Sequence, residues 1–550
     1  MHPVLQPLAL LALLVQSSVS AAEVSTPLSC RVVDAETGVL LPCRVYVESA
    51  EGEWYFARPG DESGSAVSYD VSRSSESIEK HTTVSAHPFV FDLPPGRYSV
   101  VVERGKEYHP ATLDVTVDDK PLQRTIRLRR WIDMAKRGWY SGDTHVHRSL
   151  DDLPNVMRAE DLNVALPLSY WVRDAYIPPA QGDKSVAVAG KLIHVDHDHV
   201  IWPMNTEYEI FTVNGKRHTL GAVFVLNHRE PLVPVAPPVA PIAAAARQQN
   251  SLLDLDKHSW PWSMMLVPIM NVDLFELTNN HIWRTQFFFK KWTIEQLPRE
   301  WNIETDAKGF TEWGWIDFGF KSYYALLNCG FSMRPTAGTA SGVHPVPLGF
   351  GRVYVHLPDG FNYDSWIAGL DAGRSFVTTG PMLFAQFDGQ QLGATFDFTK
   401  PTSLRVHGSV ENARPLSRVE IIKNGDVVRV IKGANESAGG TRFRTTFDEQ
   451  IEVDGTSWIA VRCFAPEPTG SRVRFAHTAP VHVTIAGRPL RPRKFETGYL
   501  VKSVQAEIQR NRGILSDDEL AEYQRALEIY SELDAVALPG RTSANGTSGK

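Results

Sequence analysis

Cysteine is scarce in this chain: four occur in 550 residues, Cys30, Cys43, Cys329 and Cys463. Neither Cys329 nor Cys463 has the spacing of a thiolate metal site, so both are read as core residues. Cys30 and Cys43 fall on two adjacent predicted strands, where either a disulfide in an oxidising compartment or two free buried thiols would fit. Charge of one sign is also lacking. A formal net charge of -7 gives no general attraction for nucleic acid or an anionic membrane, which leaves a small-molecule or carbohydrate-like substrate. Long apolar runs are absent beyond the start of the chain, so no membrane span is expected. Within residues 1–22, the run from Leu8 to Val15 is too short to cross a bilayer comfortably. Followed by small residues at Val19-Ser20-Ala21, it reads as a secretory signal, although no Lys or Arg precedes it. The mature protein is therefore expected to be secreted or periplasmic. Oligomeric state is left open.

What is present is ordinary for a soluble globular protein, with 43% hydrophobic and 22% charged residues. The length calls for two to four domains. Residues 25–130 show short alternating runs such as RVYVES and RYSVVVE between Gly and Pro signals, the pattern of an antiparallel β-sandwich. The Ser-, Glu- and Gly-rich stretch Glu62 to Ser77 reads as a loop, and nothing in this domain has catalytic spacing. Residues 139–381 alternate apolar runs with loops and predicted helices, including Ile242 to Gln249 and Gly319 to Asn328. That alternation favours an α/β barrel, with the Pro-rich segment Pro231 to Pro241 at one mouth. Residues 383–487 form a second β-sandwich, with Asn424-Gly425-Asp426 as a hairpin signal. Residues 495–535 form a helical tail. In it, Ser516 and Glu519 make a capping box ahead of an apolar stripe that packs on a neighbouring domain.

The chemistry concentrates at Gly138 to His147, GWYSGDTHVH. In an extended segment alternate side chains share a face, so His145 and His147 can offer two imidazoles to one ion. Asp143, on the same face, could be a third ligand or the acceptor that fixes a ring tautomer. Further candidate ligands are Glu207, His258, His281 and His344. Imidazole with carboxylate suits zinc, manganese or iron, in one or two divalent ions. Such an ion acidifies water and polarises a scissile carbonyl or phosphoryl oxygen. Glu276 could shuttle protons, or simply pair with backbone or Arg284. No residue is assigned as catalytic.

With these residues in view, the middle region resembles the PHP superfamily, specifically its CehA/McbA-like metallohydrolase branch. The resemblance spans about Trp139 to Pro381. It rests on GWYSGDTHVH, Glu207, FELTNNH, the run YYALLNCGFSMRPTAGTASGVHPVPLGFGRVYV and GRSFVTTGP. The first sandwich similarly looks like a carboxypeptidase-regulatory-type domain. The resemblance implies a distorted (β/α)7 barrel flanked by the two β-sandwiches. It also implies hydrolysis of phosphoester, amide or ester/carbamate bonds, with His145 and His147 as the first ligand pair and Glu207 as a bridging carboxylate. His258 takes the place of a later histidine ligand, and either His218 or His228 supplies the one between. Two departures stand out: Leu166 to Tyr170, LPLSY, lacks the family's Asp-His pair, and Ala340 to His344 lacks its Asp-x-His. The competing reading is a catalytically degenerate secreted protein that binds carbohydrate or a cell surface, to which its 14 tryptophans would lend stacking surfaces.

Overall fold

The computed structural model describes residues 25–185, 188–285, 296–466 and 472–539. The expected signal segment, residues 1–22, lies outside them. Among the described residues no helix is long and apolar enough to cross a membrane.

The N-terminal region is two packed sheets. Thr26–Asp34 pairs in parallel with Leu122–Leu128 and antiparallel with Phe89–Leu93. The facing sheet runs Ala66–Ser74, Ser77–Val84, Cys43–Ser49, Gly96–Glu103, Ala111–Val117. Alternation explains the packing: Tyr98, Val100 and Val102 point inward from one strand and join Leu28, Val45 and Phe91 in the core. Each such side chain stabilises the fold by about 1.5–3 kcal/mol. Cys30 and Cys43 are free thiols in that core. Burial pushes the Cys30 thiol up to about 12, so it holds no reactive thiolate near neutrality. The stretch Glu62 to Ser77 is not simply a loop. Ala66–Ser74 is a strand hydrogen-bonded along Ser77–Val84, polar because much of it faces solvent.

Two open sheets carry the central region, and the expected (β/α)7 barrel is not formed. One sheet orders Ala180–Gln181, Tyr170–Asp174, Thr206–Val213, Lys216–Leu226, Leu252–Leu255, Leu274–Thr278 and Arg334–Ala337. In the other, Trp139–Val146 lies between Val164–Pro167 and Arg352–His356. That sheet continues through Ser375–Thr378 into Val473–Thr478 of the C-terminal sandwich. A (β/α)7 barrel needs parallel neighbours joined by helical crossovers. Here Asn214 and Gly215 both take positive φ, 50° and 72°, and close a two-residue hairpin that forces Thr206–Val213 and Lys216–Leu226 antiparallel. Trp139–Val146, Arg352–His356 and Ser375–Thr378 are antiparallel as well. Isolated bridges, Val146 to Ser341 and Leu168 to Met204, fall in the segments that connect the two sheets.

The C-terminal sandwich sets Met382–Phe387, Thr402–Asn412, Phe443–Val453 and Glu436–Ser437 against the end of the twelve-stranded sheet. Asn424 and Gly425, at φ 50° and 83°, turn its Arg418–Lys423 and Asp426–Lys432 hairpin. The tail is two helices, Lys494–Asn511 and Asp517–Ala535, the second opened by the Ser516–Glu519 capping box. Both dock on the central region. Tyr530 donates to the Met264 carbonyl at 2.8 Å. The Glu522 carboxylate accepts from the Val239 and Ala240 backbone N–H groups, at the positive end of the Ala240–Gln248 helix.

Candidate metal centre

The Trp139–Val146 strand is buried along its whole length and ends by delivering His145 and His147 to one place. Their Nε2 atoms lie 3.2 Å apart. Glu207, early in the Thr206–Val213 strand, brings Oε2 to 3.3 Å from His147 Nε2. One ligand atom from each of His145, His147 and Glu207 falls within 4.8 Å of the others. His145 Nδ1 faces the opposite way, 3.1 Å from Glu276 Oε2 and 3.6 Å from Asp256 Oδ1. Donating that N–H to Glu276 fixes the tautomer and leaves the Nε2 lone pair free.

Electrostatics sharpen the picture. Glu207, Glu209, Asp256 and Glu276 are buried together, and among the described residues one ammonium, that of Lys257, lies within 4.0 Å of three of them. Lys257 contacts Asp256 and lies 3.4 Å from Glu209 and 4.0 Å from Glu207. Burial first, then the neighbouring Glu209, holds Glu207 well above the usual carboxylate range. Burial also raises Glu276, to about 8, against the pull of Lys257. Burial, with Lys257 adding to it, keeps His145 neutral, well below the ordinary imidazole range. Buried charge without a counter-charge is costly, so the cluster must hold either protons or a cation.

The donor set fits a divalent cation. Among the described residues Glu207 Oε2 and Asp256 Oδ1 are buried with no hydrogen-bond partner, and two neutral imidazole nitrogens converge beside the first of them. Two imidazoles and one carboxylate leave further coordination positions open, as in catalytic rather than structural zinc sites. Protons are the alternative filling. A neutral Glu207 and an Nε2–H tautomer of His147 would join the same three atoms by hydrogen bonds, and the raised Glu207 describes that metal-free state.

The other sequence candidates stand outside this group of three, although His281 and His344 are close enough to influence His145 electrostatically. His258 packs among Phe275, Trp315 and Phe318, with Asn279 3.4 Å from its Nδ1. His281 stands edge-on to Trp315, and His344 leans on Trp283. None of these three joins a ligand cluster among the described residues. His218 bonds Asn511 of the tail, and His228 bonds Thr206 and the Glu230 carbonyl, so neither supplies an intervening ligand. Asp143 is neither ligand nor tautomer-setting acceptor. Its carboxylate takes the Thr339 hydroxyl at 2.6 Å and the backbone N–H groups of His145, Thr339 and Gly349, fastening the neighbouring loop to the strand. Glu276 bonds the Asn280 backbone and His145, while Arg284 pairs with Glu79 of the first sandwich.

Asp256 and Lys257 were not singled out from the sequence. The signal was the run Asp254-Leu255-Asp256-Lys257-His258, but the strand ends at Leu255. Past that point alternation no longer predicts direction, and His258 turns into the aromatic core. Gly338 marks the crowding of the centre: a Cβ there would lie 2.3 Å from His145 Cβ and 2.7 Å from Glu276 Cδ.

No family model matches this chain, and no curated protein matches it. Among solved structures, the crystal structure of a group B streptococcus pilus 2b backbone protein is similar over 19% of this chain and 41% of that chain, at 11% identity and a TM-score of 0.13. So limited an overlap carries no argument about fold or function.

Proposed function

We propose that this protein is an exported metal-dependent hydrolase, built on one divalent ion at His145, His147 and Glu207. The convergence of two neutral imidazole nitrogens with an unpartnered buried carboxylate oxygen carries this reading. The sequence blocks around these residues, which resemble the CehA/McbA-like metallohydrolases, support it, although the closed barrel of that family is absent. Zinc, manganese and iron all suit the donors; when bound, such an ion supplies Lewis acidity and acidifies water. The chain's own residues do the rest. Glu276 orients His145. Lys257 offsets the negative charge of Asp256, Glu209 and Glu207. The scissile bond is a phosphoester, amide or ester/carbamate.

The depth of the centre favours a second reading, a metal-holding but catalytically degenerate binding protein. His145 is 1% exposed, and the His147 side chain, at 8%, is the more open of the pair. Elemental analysis of chelator-stripped protein, reloaded with each metal and screened on phosphodiester, amide and ester substrates, tests both. The expected result is close to one equivalent bound, lost in the His145→Ala/His147→Ala variant, with turnover of one substrate class. Stoichiometric metal without turnover selects the second reading. No metal in the wild-type protein overturns both.

A further inference from the structure

The first sandwich grips the loop beside the proposed metal centre through Tyr69 and Arg73. Tyr69, on the Ala66–Ser74 strand and 6% exposed, donates its hydroxyl to the His344 carbonyl at 2.5 Å and accepts from the Gly342 N–H at 2.9 Å. Arg73, four residues on, donates to the Val343 carbonyl at 3.0 Å. The Arg148 guanidinium lies 3.7 Å from the Tyr69 ring centroid while its Nε bonds Ser341 Oγ. These contacts grip the loop from Ser341 to His344 on its outer side.

The inner side of the same loop holds the ligand strand. The Ser341 carbonyl accepts from His147 N at 2.8 Å, and the His145 carbonyl accepts from Ala340 N at 2.7 Å. Lys184 ties the His147 and Gly342 carbonyls together at 2.9 and 3.0 Å. Gly342 sits at φ 109°, and a Cβ there would lie 2.3 Å from the His147 carbonyl oxygen. The loop is thus clamped between Tyr69 and His147 with no slack for a methyl group.

We infer that Tyr69 is a positioning residue for the metal centre, fixing the Ser341–His344 loop and through it the backbone that carries His147; this rests on the metal reading above. Ligand-orienting contacts outside the ligands themselves typically govern 10–100-fold in metal affinity. Tyr69→Phe keeps the ring under Arg148 and deletes both hydrogen bonds. Tyr98→Phe is the control, since its hydroxyl bonds the Pro94 carbonyl at 2.7 Å within the same sandwich and far from the loop.

The test uses full-length protein, cobalt(II) as the probe ion and ¹³C-labelled histidine. Tyr69→Phe is expected to weaken cobalt binding about tenfold or more and to change its visible spectrum. It should also shift the His147 and His344 signals of the metal-free protein, while Tyr98→Phe changes neither readout. Wild-type affinity, spectrum and histidine signals in Tyr69→Phe would overturn the inference. Should Tyr69→Phe not fold, Arg73→Gln is expected to move the same signals by less, and unmoved signals there count against the clamp. If wild-type protein takes up no cobalt, the metal reading falls alone, because the histidine signals still decide whether Tyr69 holds His147.

Discussion

Two groups of buried carboxylates in this chain, one in the C-terminal sandwich and one at the candidate centre, are balanced in opposite ways. In the C-terminal sandwich, Glu420 lies between Arg462 and Arg418, and Glu411 meets Arg137, Arg442 and Arg444. Burial alone would raise both acids, yet the arginines outweigh it and bring each below its ordinary value. At the candidate centre Glu207, Glu209, Asp256 and Glu276 share Lys257, and burial wins for Glu207, Glu209 and Glu276. The sandwich acids are fully matched by arginines, of which Arg137 comes from the segment ahead of the central strands. Among the described residues the candidate centre has no such set of cationic partners, and we take that deficit, more than the count of histidines, as support for the proposed cation site.

The largest expected effect follows from that deficit. Glu276 has its folded pKa near 8 against about 4.3 for an unfolded Glu. The native state therefore binds more protons than the unfolded chain between these values, and its stability falls as pH rises through that window. Each proton contributes about 1.4 kcal/mol per pH unit. Urea unfolding of metal-stripped protein between pH 5 and pH 8 should show this fall, and Glu276→Gln should reduce the slope by about one proton. A flat profile, or one unchanged by the substitution, would mean the centre is already neutralised by groups of the chain. Glu411 and Glu420 run the other way: their folded pKa values are lowered, so their contribution is lost only as pH drops below the ordinary Glu value.

How much of this was legible beforehand depends on the range of the signal. Local signals held: Asn424-Gly425 does turn a hairpin, and Ser516 with Glu519 does cap a helix, because both act within four residues. The pairing of His145 with His147 follows from strand alternation, and Glu207 lies beside them. The barrel failed on a signal of the same local kind, since Asn214-Gly215 sits between two apolar runs and dictates an antiparallel pair where a crossover was expected. Asp256, Lys257 and Tyr69 were out of reach for another reason. They meet the centre past a strand end or from a different domain, where neither periodicity nor spacing constrains direction. Tyr69 in particular lies in a stretch whose polar composition reads as loop.

A smaller effect separates the two regions from the arginine side. Arg462, 4% exposed, bonds Glu420 at 2.7 Å and lies over Phe320. Arg462→Met keeps the bulk and leaves Glu420 with the more exposed Arg418. Removing one partner of a buried pair costs about 3 kcal/mol, to be read as a lower urea midpoint at unchanged slope. The loss should be independent of added metal. A metal-dependent loss would couple the sandwich to the centre through the shared twelve-stranded sheet and blur the contrast.

The smallest effect asks whether burial, and not the mere presence of opposite charges, sets the strength of the sandwich pairs. Arg405 and Asp448 lie in the same sandwich and form two parallel hydrogen bonds at 2.7 and 2.6 Å, a geometry as favourable as that of Glu420. Both side chains are half exposed, at 50% and 57%, so water competes for each and salt screens the pair. Arg405→Ala with Asp448→Ala should therefore leave the urea midpoint within error of wild type at physiological ionic strength. A shift comparable to that of Arg462→Met would mean that pairing geometry outweighs desolvation in this fold. The uncompensated carboxylates of the candidate centre would then lose their force as support for the proposed cation site.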